Sequence, residues 1–223
     1  MQELGISKGV YTSTLAVNSD TKGQPRDETY RYQGPHLSVY DKTKWQAHYE
    51  VAEPFIRQGL PLVILMPGMV YGPGDTSQLG NLLQKAVKGK LITLPGGKTL
   101  LCWSYVEDIA RAHLLAIEKG HPGETYIISG PCHTYRQGIK KLKQVTGRKL
   151  HVIWIPPWML KGMSKPVALL EKILPLPASF SSEAMRVTAG TTYYGDNSKA
   201  KRELGYSPRS LEQGLEDTFG IKQ

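Results

Sequence analysis

Two apolar segments separated by a helix-like stretch dominate the hydrophobic pattern near the start of the chain. Residues 10–17, VYTSTLAV, are rich in β-branched side chains and predict a strand. Residues 60–66, LPLVILM, form a continuous apolar run that is typical of a strand buried on both faces of a parallel sheet. Between them, Ser38 and Asp41 form a capping signal for a helix over residues 39–58. The three elements predict one right-handed strand–helix–strand crossover.

Shorter strands and helices alternate along the rest of the chain. Helical spacing and capping signals predict helices over 79–89, 108–120 and 134–146 and after Ser210, with mixed helix and loop over 158–190. Strands are predicted at 91–94, 99–105, 125–129 and 150–155. The alternation indicates an α/β fold. A domain boundary is expected near Gly72–Gly74, where the buried parallel pattern gives way to shorter elements.

The charge balance of the 223-residue chain is basic, with a net charge of +9. Such a balance favours phosphorylated small molecules, nucleic acid or anionic lipid as partners. No run of like charge resembles a nucleic-acid-binding arm, so we expect scattered solvated lysines and no nucleic-acid partner. No uninterrupted apolar stretch reaches about 18 residues, so no membrane span is predicted.

The cysteine content further restricts the chemistry. Cys102 and Cys132 are the two cysteines, without the cysteine–histidine cluster of a usual zinc site. We therefore expect no metal and no disulfide framework, which suits a reducing cytoplasm. The N-terminus lacks the cationic start and apolar core of a signal peptide, so a cytoplasmic location is predicted.

The strongest candidates for catalytic residues are Thr14, Tyr40 and Lys44. Tyr40 and Lys44 are four residues apart, so on a helix they share a face. An ammonium group beside a phenol favours the phenolate, which can exchange a proton when a carbonyl and a hydroxyl interconvert. A hydroxyl from a nearby strand end, Thr14 or Ser13, would orient the substrate oxygen. The spacing alone, however, favours an ordinary amphipathic helix with a packed tyrosine and an exposed lysine.

The surrounding motifs favour the catalytic interpretation. VYTSTLAV, SVYDKTK and LPLVILMPGMVYGPGD occur in that order, followed by SYVEDIARAHLLAIEKG, GETYIISG and DNSKAKRELGYSPRSLEQGL. In this combination the chain resembles the extended short-chain dehydrogenase/reductases, the NAD(P)-dependent epimerase/dehydratase family. The likeness is greatest to its dihydroflavonol-reductase-like and hydroxysteroid-dehydrogenase-like members, and it covers nearly the whole chain.

The resemblance implies a role for each matching position. Tyr40 matches the catalytic acid/base, and Lys44 matches the lysine that assists the phenol and holds the nicotinamide ribose. Thr14 is the first choice for the catalytic hydroxyl and Ser13 the second. The loop facing the nicotinamide carboxamide matches Pro67, Gly68, Met69 and Val70.

The resemblance also implies an activity and partners. We expect NAD- or NADP-dependent oxidoreduction, or epimerisation or dehydration, of a small hydroxyl or keto compound such as a nucleotide sugar. Homo-oligomerisation is left open. The rival hypotheses are a non-catalytic remnant and a binding module of the same fold.

One departure from the family concerns the phosphate-binding turn. The glycine fingerprint after a strand, which cradles the cofactor pyrophosphate, is absent. We therefore expect a truncated gene product, a misassigned start or an expressed fragment, inactive alone. Residues 1–72 would be a remnant of the Rossmann domain, the C-terminal half of its parallel sheet. Residues 73–223 would be mainly a small mixed α/β substrate-binding domain. The strands at 10–17 and 60–66 would then expose edges and promote self-association.

Two histidines and one apolar region each allow more than one interpretation. His36 and His48 flank the Tyr40 segment and are expected on the surface, although they could lie near the cleft. The apolar region from Trp154 to Leu174 covers the substrate in the resembling family. Core packing and contact with a membrane surface are the alternatives for this region.

Overall fold

The computed structural model describes residues 1, 4–171, 173–174 and 181–220. Its strands are β1 (Gly9–Thr12), β2 (Leu62–Pro67), β3 (Met69–Tyr71), β4 (Ile92–Pro95), β5 (Leu100–Tyr105), β6 (Thr125–Ile128), β7 (Cys132–Thr134) and β8 (Val152–Ile155). Its helices are α1 (Val39–Gln46), α2 (Glu53–Arg57), α3 (Gln78–Val87), α4 (Val106–Lys119), α5 (Tyr135–Thr146), α6 (Pro157–Leu170), α7 (Ser182–Thr188), α8 (Ser198–Leu204) and α9 (Leu211–Phe219). A 3₁₀ turn, Leu15–Asn18, follows β1, and a π-helical segment, Ala47–Ala52, joins α1 to α2.

β2 is the central strand of a parallel three-stranded sheet with the order β1-β2-β6. Its register places Thr12 of β1 opposite Leu65. Val63 and Leu65 pack on one face with α4 and α8, and Met66 packs on the other face with the 3₁₀ turn and the π-helical segment. The prediction of a strand buried on both faces is therefore confirmed.

A second region surrounds the indole of Trp103. The strands β3, β5 and β7 form one sheet, in which β3 and β5 are parallel, and β4 and β8 form a parallel pair. Side chains from α3, α5 and α9 complete this core. The α/β fold with parallel sheets is confirmed. The division at residue 72 stays a prediction, and β6, although late in the sequence, pairs with β2 in the first sheet.

Local structure differs from the predicted elements in three places. The first strand ends at Thr12, because Thr14 is extended and its side chain accepts the Ala16 N–H, which begins the 3₁₀ turn. The helix predicted over 39–58 is present but contains the π-helical segment. The glycine- and proline-rich segment after β2 contains β3, which pairs with β5.

The sheet edges differ from the expectation of two exposed strands. β2 is central, so the expectation was wrong for this strand. On the outer edge of β6, the Ile127 N–H donates to the Glu28 carboxylate at 2.8 Å, and Lys199 Nζ donates to the Thr125 carbonyl at 3.0 Å. These side chains occupy backbone groups that another strand would pair with. In the described part of the chain, β1 is left as the other edge strand.

The cysteines also correct the sequence prediction. Cys102 of β5 lies directly opposite Cys132 of β7 in the antiparallel ladder, and the two form a disulfide. Thirty residues separate them, so the ladder rather than local sequence brings them together. The expectation of no disulfide was therefore wrong.

The described residues show neither a membrane-spanning helix nor a metal-binding cluster. No helix among them is long and apolar enough to cross a membrane. The same residues contain no group of three or more His, Cys, Asp or Glu side chains that could hold a metal ion. The cytoplasmic location stays a prediction.

A pair of glycine substitutions tests the close contact between the two sheets. A Cβ at Gly130, just after β6, would lie 1.8 Å from the Trp103 backbone carbonyl oxygen, which cannot move without breaking β5. We expect Gly130→Ala to lower the free energy of unfolding by about 3 kcal/mol or more, as overpacking does. Gly162→Ala, in open space on α6, should be neutral or stabilise by up to about 1 kcal/mol. Urea denaturation of both variants measures this difference, and equal stabilities would contradict it.

Candidate functional site

The candidate site lies where the three parallel strands end. β1 ends at Thr12, β2 at Pro67 and β6 at Ile128, and Pro67 and Ile128 are partners in the ladder. The Ser13 N–H donates to the Leu65 carbonyl at 2.8 Å, which carries the β1–β2 pairing one residue further. Carboxyl ends of parallel strands form the ligand-binding edge of open α/β sheets.

Thr14 and Ser13, the two candidate hydroxyls, have different surroundings. Ser13 is buried, and its Oγ lies 2.8 Å from Nδ1 of the buried His48. Thr14 is partly exposed, and its Oγ1 accepts the Ala16 N–H at 3.2 Å. The Ser13 hydroxyl is therefore buried and already hydrogen-bonded inside the protein, whereas the Thr14 side chain is partly accessible to solvent.

Tyr40 and Lys44 lie on α1, one turn apart. Ser38 caps this helix by accepting the Asp41 N–H at 2.9 Å. The Tyr40 side chain is half exposed and Lys44 is partly buried. Within the described part of the chain, Lys44 Nζ has no hydrogen-bond or ion-pair partner. Both groups are therefore available to a ligand on the same face of the helix.

The neighbourhood of Tyr40 includes the first strand. Burial raises the pKa of Tyr11, and the nearby Tyr40 phenol raises it further. Tyr11 belongs to β1, two residues before Ser13. The helix that carries Tyr40 also contacts the 3₁₀ turn that begins directly after Thr14.

A buried carboxylate beside Tyr40 was not predicted. Asp41 Oδ2 accepts a hydrogen bond from the Tyr193 hydroxyl at 3.2 Å. Burial raises the pKa of Asp41, while its hydrogen bonds with Ser38 and Tyr193 act in the opposite direction. Burial, and then Asp41, also raise the pKa of Tyr193 far above its usual range. The pair fixes the first turn of α1 against the segment that follows α7.

The loop expected to face the nicotinamide joins the two sheets. Pro67 belongs to the β2–β6 ladder, and Met69 and Val70 belong to the β3–β5 ladder. Gly68 lies between them, where a Cβ would come within 2.5 Å of the Cys102 carbonyl oxygen. The structure therefore places this loop at the carboxyl edge of the sheet, and its contact with nicotinamide stays a prediction.

The donor groups present fit one half of a nicotinamide dinucleotide. A hydroxyl, a phenol and an ammonium group at the strand ends suit a nicotinamide ribose and a reacting oxygen. The turn before α3 does not suit a phosphate, because the Asp75 carboxylate accepts the Ser77 N–H at 2.8 Å at the start of that helix. Among the described strand–helix connections, none has the spacing of the dinucleotide fingerprint.

His48 corrects the expectation of a surface residue. It lies in the π-helical segment, is 2% exposed and stacks on Tyr49 with ring centroids 4.3 Å apart. Its partner Ser13 is 35 residues away, so local sequence carried no signal for this contact. The contact ties the end of β1 to the helix that carries Tyr40 and Lys44.

Comparisons with known proteins agree with the fold. The model of the NAD dependent epimerase/dehydratase family matches residues 1–129. Sterol demethylase protein B of Methylococcus capsulatus is 27% identical, over 96% of this chain and 65% of its own length. The 3beta-hydroxysteroid-dehydrogenase/decarboxylase isoform 1 of Arabidopsis thaliana is 28% identical, over 97% of this chain and 53% of its own length. The chain thus spans less than two thirds of these relatives.

A solved structure gives the same result for the fold. The crystal structure of gox2253 matches with a TM-score of 0.81 and 26% sequence identity. The match covers 97% of this chain and 66% of that one. The arrangement of sheets around the strand-end edge is therefore a known one.

The buried His48 generates a pH-dependent stability. Burial, with a smaller effect of the Arg31 guanidinium, lowers the pKa of His48 to about 4 from 6.5. The unfolded chain binds this proton below about pH 6.5, whereas the folded chain binds it only near pH 4. The free energy of unfolding should therefore fall by up to about 3 kcal/mol as the pH drops through this interval.

Urea denaturation between pH 4 and pH 7 measures this dependence. His48→Gln should remove this part of the slope, whatever its effect on stability at neutral pH. His151→Gln, at an exposed position, is the matched control and should keep the slope. The same pH dependence in His48→Gln and in the unaltered chain would contradict the assignment.

Proposed function

The chain belongs to the NAD-dependent epimerase/dehydratase family, and on that premise we propose that it interconverts a secondary alcohol and a ketone. One observation carries the proposal: Tyr40 and Lys44 share a face of α1, and α1 contacts the 3₁₀ turn that begins directly after Thr14. The resemblance seen in the sequence motifs is confirmed. The expected NAD cofactor is confirmed at the level of the family.

Each of the three side chains has a distinct proposed role. The exposed Tyr40 phenol donates a proton to the substrate oxygen in reduction and accepts it in oxidation. The Thr14 hydroxyl hydrogen-bonds to that oxygen and orients it. The Lys44 ammonium binds the hydroxyl groups of the nicotinamide ribose. NAD, when bound, supplies the hydride chemistry.

The choice between Thr14 and Ser13 follows from burial. The Ser13 hydroxyl is held by His48 inside the protein. This supports Thr14 as the substrate-orienting hydroxyl and Ser13 as a group that fixes the strand end.

Two substrate classes are supported by different observations. The names of the two relatives refer to a sterol and to a hydroxysteroid, which supports an apolar alcohol as the substrate. A cavity of about 390 Å³ at the start of α1 is lined by Lys42, Arg186 and Glu183 among others, and its two cations support a substrate with an acidic group, such as a nucleotide sugar. Assays with a hydroxysterol and with a nucleotide sugar separate these classes.

We also propose that this chain binds the dinucleotide weakly. The described residues contribute groups for the nicotinamide ribose but no amide cradle for the pyrophosphate, which normally supplies much of the orientation. The expectation that the chain alone is inactive at ordinary NAD concentrations rests on the same feature and stays a prediction.

The role of Lys44 predicts a specific pattern of binding. Calorimetry should give similar, weak affinities for NAD and for nicotinamide mononucleotide, because the nicotinamide half supplies the contacts. Lys44→Met should weaken both by roughly 10- to 100-fold, the range of a lost charged hydrogen bond. Lys143→Met, a lysine in the last turn of α5 as Lys44 is of α1, is the control and should change neither. Micromolar NAD binding without binding of the mononucleotide would refute the half-site.

The role of Tyr40 predicts a loss of turnover without a loss of binding. At millimolar NADH, which offsets weak binding, Tyr40→Phe should lower ketone reduction by about 10²–10⁴-fold, as expected for a lost general acid. Its affinity for nicotinamide mononucleotide should stay near that of the unaltered chain. Tyr32→Phe, whose hydroxyl donates to the Pro35 carbonyl, is the control. Equal turnover by Tyr40→Phe would refute the assignment, and no turnover by the unaltered chain would support a binding module instead.

A further inference from the structure

The outward face of α6 is apolar where a surface helix is normally polar. Trp158 is 74% exposed and Leu169 is 64% exposed, and just beyond the helix Ile173 is 83% exposed. Leu160 and Ser164 are the buried side of the helix, which packs against α7. Core packing therefore does not account for the apolar residues of the opposite side. Exposed apolar patches of this kind mark interaction surfaces.

The charges around this face have one sign. Lys161 and Lys165 are exposed on α6, and Lys165 follows Trp158 at helical spacing. Glu171 is the sole acidic residue of the sequence 157–174. Its carboxylate is turned towards α7, where it accepts hydrogen bonds from the Ser182 N–H at 3.0 Å and the Ser182 hydroxyl at 2.7 Å. The outward face therefore presents apolar and positive groups without a negative one.

We propose that this face of α6 docks on the surface of an anionic lipid bilayer. Apolar side chains, a tryptophan and flanking lysines are the combination with which helices lie in a membrane interface. The net charge of +9 adds attraction over the rest of the molecule. The helix has 14 residues, which suits lying on a bilayer and not crossing it.

Docking there would orient the candidate site. The Glu183 carboxylate, on α7, accepts the Val39 N–H at 3.1 Å, and Val39 precedes Tyr40 on α1. Since α6 packs against α7, the membrane face is one helix away from the start of α1. The proposal rests on the exposed surface alone and does not require the proposed redox activity.

Vesicle sedimentation with the full chain tests the proposal. We expect binding to vesicles of phosphatidylserine and phosphatidylcholine, and much weaker binding to phosphatidylcholine alone. Lys161→Ala combined with Lys165→Ala should lower affinity for the anionic vesicles by about 30-fold, because each lysine near an anionic surface contributes about fivefold. Lys140→Ala combined with Lys143→Ala, on the exposed face of α5, is the matched control and should have a much smaller effect.

A second pair of variants tests whether the exposed apolar side chains of α6 contribute to vesicle binding. Leu169→Glu combined with Ile173→Glu should abolish vesicle binding, while Leu114→Glu combined with Ile117→Glu, exposed on α4, should not. Circular dichroism checks that each variant is folded. In addition, brominated lipid should quench the tryptophan fluorescence of the unaltered chain, because Trp158 lies on the docking face. Trp158→Phe should remove that quenching.

Three results would overturn the proposal. The first is no binding of the unaltered chain to anionic vesicles. The second is an equal loss in the α5 lysine variant and the α6 lysine variant, which would indicate general charge attraction. The third is a dimer in lipid-free solution that the Leu169→Glu, Ile173→Glu variant dissociates, because a second copy would then be the occupant of this face.

Discussion

The parallel pairing of β1 with β2 is the constraint on which the candidate site depends. It continues past the end of β1 through the hydrogen bond from Ser13 to Leu65, so Thr14 comes to lie at the carboxyl edge of the sheet. A shift of one residue would exchange the two faces of the strand and move every side chain of β1 to the opposite side of the sheet. The register is held at both ends of β1, because the Gly9 N–H donates to the Pro61 carbonyl at 2.9 Å and the Ser13 N–H donates to the Leu65 carbonyl at 2.8 Å.

The second tie is the contact between Ser13 and His48. It joins the end of β1 to the helical segment that carries Tyr40 and Lys44. The contact therefore holds Thr14, Tyr40 and Lys44 in a fixed arrangement. A proton on the imidazole is disfavoured by burial, which links the stability of this support to pH. The Asp41–Tyr193 contact adds a third attachment, from the segment after α7.

Sequence reasoning succeeded where the signal was local. The apolar run of β2, the cap at Ser38 and the Tyr40–Lys44 spacing each lie within a few residues, and the structure contains the strand, the helix and the shared face. It failed where partners are distant in the chain. Asp41 and Tyr193 are 152 residues apart, and the cysteines meet only through the β5–β7 register.

Short strands were a further source of error. β3 and β7 have three residues each, and their signals are lost among glycine and proline residues that normally indicate turns. Their existence depends on pairing with β5, whose strand could be recognised from its apolar run. The same β5 contributes Trp103, around which the second core is built.

We propose that the nicotinamide half of NAD binds at the carboxyl ends of β1 and β2. A crystal structure of the chain with nicotinamide mononucleotide tests this most directly. We expect the ribose to lie within hydrogen-bond distance of Lys44 Nζ and the nicotinamide ring to lie beside Thr14 and the Pro67–Val70 loop. A nucleotide bound instead in the cavity of about 670 Å³ lined by Ser129, Lys201 and Arg209, with Lys44 free of contacts, would contradict it.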